Sequence, residues 1–148
     1  MCGGLLLNVA LLLCRLSLGG TFLIAGLRKM LPADGKTLGE TLSGFADKVA
    51  GMAPLPHSLG LTYGYALPWG ELFFGLLLVL GLFARASALL IALMLLSFII
   101  ALGVDFWPAK GGAFNPNIIF FSLALLLVAT GPGGLALGRG KAKPAAKD

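Results

Sequence analysis

Residues 86–104, ASALLIALMLLSFIIALGV, run for 19 positions without a charge. At about 1.5 Å per residue, a helix of this length reaches roughly 28 Å, close to the ~30 Å hydrocarbon core of a bilayer. Arg85 stands just before the run and Asp105 just after it, and Trp107 falls where an interfacial aromatic belt would sit. Outward from here the pattern recurs three times. Leu61 to Phe83 holds a single charge, Glu71, and one proline, Pro68. Leu5 to Leu27 is 23 residues whose polar interruptions are Asn8, Arg15, Ser17 and Thr21. The last run starts behind Asn115, a fitting N-cap, and Pro116, whose missing N–H does no harm at a first helical position. It stops at Thr130, before Gly131-Pro132-Gly133-Gly134, so its 15 residues cover only ~22 Å.

Composition agrees. The 148 residues are 58% apolar and 11% charged, with a mean hydropathy of +0.97, whereas soluble domains carry about 25% charged residues. A chain this apolar cannot hide its surface in one small globule, which excludes a soluble monomer, a disordered chain and a nucleic-acid binder. The net charge of +5 is scattered between apolar runs, with four basic residues in the last ten positions, as a cationic rim facing lipid headgroups would be. Cys2 and Cys14 make no disulfide framework, there is no CxxC, and His57 is the one histidine. Neither a metal nor a covalent cofactor is expected.

The expected fold is all-α: an integral-membrane, antiparallel bundle of four transmembrane helices over about 5–27, 61–83, 86–104 and 116–130, with a short amphipathic helix in the first loop. The bundle takes up residues 1–134, and 135–148 form a polar, basic tail too simple to fold. The first run lacks a basic leader and is about twice the length of a signal-peptide core, so it reads as a span. In the long connection Arg28 to Gly60, Leu38, Leu42, Phe45, Val49 and Met52 recur at intervals of three and four. Thr37 to Met52 therefore reads as a helix lying on the membrane surface and capping the bundle, the alternative being a mobile polar loop. Pro54 and Pro56 mark the exit into span two. Four spans put both termini on one side. Arg85, Arg139, Lys141, Lys143 and Lys147 fall on that side and Arg28, Lys29, Lys36, Lys48 and Lys110 on the other. The basic count ties, and the dense tail favours cytoplasmic termini.

Ionisable groups within a span normally face the interior and have a partner. Arg15 and Glu71 are the two here. If Leu5 is level with Phe83, they lie at ~15 and ~18 Å depth and can form a salt bridge. In a rival register the regular helix begins at Pro68, Glu71 falls in its first turn, and Arg28 or Lys29 is its partner. Such a pair either fixes helix register or lines a polar pocket for a quinone headgroup, a proton or a small solute. Trp69 would stack on a ring or serve as an interfacial anchor, and His57 would be an acid or base at the mouth of the bundle or an idle loop histidine. Small residues four apart (Gly60 and Gly64; Ala84, Ala88 and Ala92; Ser97 and Ala101) allow close helix approach and a tight bundle, with a second copy as a candidate partner. The glycine clusters lack the strand, lysine and helix start of a phosphate loop.

In order, Arg15, Leu18-Gly19, Phe22, Ala25-Gly26 and Lys29; Pro68, Glu71 and Gly75; Gly81-Leu82-Phe83 with Arg85 and Ala88; Met94; and Asn117 with Gly131-Pro132-Gly133 resemble the DoxX family of small four-helix membrane proteins, over roughly Leu12 to Gly134. The long first loop and lysine-rich tail depart from its usual pattern. The resemblance implies an antiparallel transmembrane bundle in a bacterial inner membrane. For function it implies a small subunit of a thiosulfate:quinone oxidoreductase, or a role in redox-stress complexes or membrane-protein assembly. Its partners would be lipid and other membrane or redox subunits. A quinone site, on this resemblance, would use Arg15, Glu71 and Arg85, then Lys29 and Asn117, with the cations stabilising a reduced quinone oxygen and Glu71 passing protons. A small-solute transporter is a further alternative, without the inverted repeats and broken helices such proteins show.

Overall fold

A computed structural model describes residues 2–32, 35–52, 56–102 and 116–137. The expectations for Pro54, Asp105, Trp107, Lys110, the Asn115 cap and the basic stretch 139–147 lie outside the described residues. Those described form five α-helices and no strand: α1 Cys2–Met30, α2 Leu38–Met52, α3 His57–Leu80, α4 Ala84–Leu102 and α5 Pro116–Thr130.

The helix α1 carries one inward stripe at spacings of three and four, and Leu11, Arg15, Leu18, Gly19, Phe22 and Gly26 on it are all buried. That stripe packs mainly on α3. Glycines on both helices bring the two backbones into contact. A Cβ at Gly26 would lie 2.7 Å from Leu72 N, one at Gly75 2.6 Å from Leu23 N, and one at Gly19 2.9 Å from Gly75 O. Where lipid removes the hydrophobic drive for helix association, such close approach supplies the van der Waals contact that holds helices together.

The helix α3 runs unbroken through Pro68, starting eleven residues before it behind Pro56. Pro68 gives up one backbone bond, and its carbonyl backs directly onto Gly26. The idea that the regular helix begins at Pro68 is therefore corrected. The helix ends at Gly81, whose φ of 74° is left-handed. Leu82 N–H bonds Leu77 O and Gly81 N–H bonds Leu78 O, a Schellman stop that a glycine permits at little strain. This closes the helix three residues short of the expected Phe83, and α4 begins at Ala84. Ala84, Ala88 and Ala92 share a buried cluster with Ala124 and Leu127 of α5.

The helix α2 is amphipathic, as its spacing predicts, and its apolar face is buried against α3. Leu42, Ala46, Val49 and Ala50 are buried, and Gly60 and Gly64 of α3 let Ala50 and Ala46 approach to backbone contact. A capping box starts it. Thr37 N–H and its hydroxyl donate to Glu40 Oε2, while Glu40 N–H donates back to Thr37 Oγ1.

Two helical segments, Gly4–Met30 and His57–Leu80, are long and apolar enough to cross a membrane, and Ala84–Ile100 and Asn117–Thr130 are apolar but shorter. Leu5, Leu13, Ile24, Phe73, Leu93 and Ile119 point outward, each more than half exposed. Soluble monomers rarely display apolar surface on this scale.

Replacing Gly26 or Gly75 by leucine should destabilise the fold by about 1–3 kcal/mol or more, since backbone cannot move aside as a side chain can. Gly44→Leu, where a side chain meets open space, should leave the unfolding transition in detergent nearly unchanged. The Thr37 backbone N–H, then its hydroxyl, holds the exposed Glu40 carboxyl below the ordinary glutamate range. Its contribution to α2 is complete above the ordinary glutamate value and is lost as pH falls through the lowered one. Carbon-detected NMR titration should show that low midpoint, and Thr37→Val should raise it partway.

Candidate functional site

The inward stripe of α1 carries a cation near each end, Arg15 and Lys29, fourteen residues or about 21 Å apart. Antiparallel packing on α3, fixed by the glycine contacts, brings Lys29 beside Glu71 and Arg15 level with Gly81. Both carboxylate oxygens of Glu71 accept from Lys29 Nζ. The pair is asymmetric: the Glu71 side chain is 2% exposed and that of Lys29 25%. Two aromatic rings flank the ammonium, Phe45 of α2 at 5.1 Å and Phe98 of α4 at 5.7 Å from their centroids, both within cation–π range. Tyr63 of α3 and Ser97 of α4 share a hydroxyl–hydroxyl bond, and Ser97 donates to Met94 O.

Four helices thus contribute polar or aromatic groups around the Lys29–Glu71 pair. Sequence reasoning offered Lys29 as a partner of Glu71 in its rival register, and that pairing is the observed one. It did not single out Tyr63, Ser97, Phe45 or Phe98 as site residues. One signal was available: Tyr63 lies two turns before Glu71, on the edge of the stripe Gly64, Leu67, Pro68, Glu71 and Gly75.

The Arg15–Glu71 salt bridge expected from level Leu5 and Phe83 is not formed. The glycine contacts slide α3 by eight residues, about 12 Å, relative to that alignment. Arg15 is 3% exposed and has no carboxylate partner among the described residues. Its guanidinium donates to Pro132 O and Leu135 O, both at 3.2 Å, and lies against Gly81 where a side chain would otherwise be. Carbonyl-rich ends of α3 and α5 surround it, and their partial negative charge compensates a buried cation. Its Nε and the buried hydroxyl of Ser87 have no protein hydrogen-bond partner among the described residues. Nearby, Asn8 Oδ1 accepts Gly134 N–H at 2.6 Å. Leu137 N–H reaches Leu80 O at 3.4 Å, so the packed chain continues three residues beyond Gly134.

The remaining candidates are dispersed. Arg85 sits at the Arg15 end, exposed beside Gly131. Asn117 opens α5 at the Lys29 end. His57 is exposed at the start of α3. Trp69 is 54% exposed and, two residues from Glu71, projects from another face of the helix. The five residues grouped by resemblance therefore divide, with Lys29, Glu71 and Asn117 toward one end and Arg15 and Arg85 at the other.

Chemically, the Lys29 end pairs an ammonium donor with a carboxylate that can hold a proton, under aromatic cover. Removing one partner of a buried pair costs about 3–5 kcal/mol, and the partial exposure of Lys29 lowers this. Lys29→Met should thus lose roughly 2–3 kcal/mol in detergent unfolding, and Lys29→Met with Glu71→Leu should recover most of it. The exposed Arg28 replaced by methionine should lose almost nothing.

A family model, DoxX, matches residues 10–104. The matched segment holds Arg15, Lys29, Glu71, Arg85 and the glycines of the α1–α3 contact, while Asn117 and the Gly131-Pro132-Gly133 turn fall beyond it. No curated protein and no solved structure matches the chain. With well over half of its length matched and two helices able to cross a bilayer, the chain belongs to the DoxX family of membrane proteins.

Proposed function

We propose that this protein is a four-span bundle of a bacterial inner membrane, with cytoplasmic termini, that serves as the small membrane subunit of a quinone-linked oxidoreductase. The headgroup would bind at the Lys29–Glu71 end. The observation that carries this reading is an ammonium held between a buried carboxylate and two aromatic rings, and one-quarter exposed. These residues fit a quinone. Lys29 donates to a ring oxygen, Glu71 holds and passes a proton, and Phe45 and Phe98 exclude water from the ring. Bound there, a quinone supplies a two-electron, two-proton acceptor, and the electrons come from a partner subunit. Thiosulfate-oxidising and redox-stress complexes are the candidate settings.

A second reading is supported by the closure of the pair. Both Glu71 oxygens are taken by Lys29 and the carboxylate is almost wholly buried, as in a clasp that fixes helix register in a scaffold or assembly factor.

Calorimetric titration of the detergent-solubilised protein with a short-chain benzoquinone or naphthoquinone separates the two. The site reading expects binding that Glu71→Gln weakens about tenfold, near 1.4 kcal/mol, and that Trp69→Phe leaves alone. The exchanged pair Lys29→Glu with Glu71→Lys should keep the fold and lose quinone. Absence of binding in the parent protein, together with a stoichiometric co-purifying partner retained by the exchanged pair, supports the scaffold.

A further inference from the structure

The turn joining α3 to α4 presents a second candidate site, about 21 Å from Lys29 along α1. An open cavity of about 410 Å³ is lined by Leu82, Phe83, Ala84, Arg85, Ala86 and Pro132. Its walls are apolar except for one guanidinium. Arg85 makes no ion pair or hydrogen bond among the described residues, and its Nε and Nη2 lie 3.1 and 3.4 Å from the position a Cβ at Gly131 would take. A side chain at 131 would crowd the guanidinium; the glycine leaves room for it beside the end of α5. Phe83 adds a second peculiarity. Its φ of 45° lies in the left-handed region that favours glycine, and the residue is 79% exposed. A strained backbone thus holds a large apolar ring outward, at the rim of the cavity.

We propose that this turn binds an anionic phospholipid, with Arg85 on the headgroup phosphate and Phe83 with Leu82 against the upper acyl chain. A planar guanidinium matches phosphate oxygens in a two-point contact. Charge complementarity favours this ligand. The one cation lining this apolar cavity is the Arg85 guanidinium, which makes no ion pair among the described residues and so is left to meet a ligand phosphate. The inference rests on the membrane-spanning reading, which sets the α3–α4 turn at headgroup depth, and is independent of the quinone assignment.

Native mass spectrometry of the full chain, released from micelles containing phosphatidylglycerol and phosphatidylcholine in equal amounts, tests it. The expected result is about a fivefold or greater preference for phosphatidylglycerol, what one near-surface basic side chain supplies. Arg85→Gln should abolish the preference. Phe83→Gly should reduce retention of both lipids while the melting temperature holds or rises, because glycine fits the backbone. Lys141, Lys143 and Lys147 changed together to glutamine should keep the preference, as should Glu71→Gln. Equal retention of the two lipids by the parent protein overturns the proposal. So does a preference that survives Arg85→Gln, or displacement of the lipid by millimolar inorganic phosphate, which would mark a free-anion site. Carbonate extraction distinguishes the underlying reading: a chain stripped from membranes refutes the spanning arrangement as well, whereas a retained chain without lipid preference refutes the site alone.

Discussion

Backbone contact between α1 and α3 governs this molecule. Gly19, Gly26 and Gly75 have no side chain because there is no room for one: each Cβ would fall within 3 Å of a backbone atom of the facing helix. In a bilayer, lipid tails solvate apolar side chains as well as another helix does, so association has to come from fit and from polar pairing. The glycine contacts supply the fit and leave one register that works. Lys29 then lies against Glu71 and Arg15 level with Gly81, and the two polar ends of the interior follow from that register.

The two ends solve the same electrostatic problem in different ways. At one, a buried carboxylate is satisfied by an ammonium that stays partly open and has aromatic rings beside it. At the other, a buried guanidinium is satisfied by the carbonyls of Pro132 and Leu135 near helix C-termini, with no carboxylate among the described residues. The first arrangement contains an acid–base pair, and the proposed quinone site rests on it. The second contains acceptors that do not titrate, and it ties the chain after α5 to α1 and α3. Arg15 does not meet Glu71 because the glycine contacts set α3 eight residues away from the alignment that would level the two.

Much of this was legible in the sequence. The helices follow from apolar runs, with the stop at Gly131, and α2 from its three-and-four spacing; Gly60 and Gly64 were readable as a close-packing stripe, though not as the face that receives α2. The Thr37-x-x-Glu40 signature is also readable at the start of α2. The α1–α3 register was not. Aligning the ends of hydrophobic runs assumes that helices stop where apolar residues stop, yet α3 extends four residues before Leu61 and ends three before Phe83. Positions where backbones touch, not the run ends, determine register, and glycine seven residues apart at 19 and 26 facing Gly75 gives that information only once the pairing is known. The candidate site suffered the same loss: Phe45, Tyr63, Ser97 and Phe98 come from α2, α3 and α4, and among them only Tyr63, two turns before Glu71, has a local link to the ion pair.

The central claim is that Glu71 is bound by Lys29 and not by Arg15. The chain has two glutamates, Glu40 and Glu71, so a Glu40→Gln background leaves a single glutamate for solid-state NMR. Rotational-echo dephasing between its side-chain carboxyl carbon and lysine Nζ in lipid bilayers should report a separation under about 4 Å and vanish in Lys29→Gln. Dephasing of that carbon by arginine side-chain nitrogen instead, abolished by Arg15→Gln and indifferent to Lys29, would contradict the register and the account built on it.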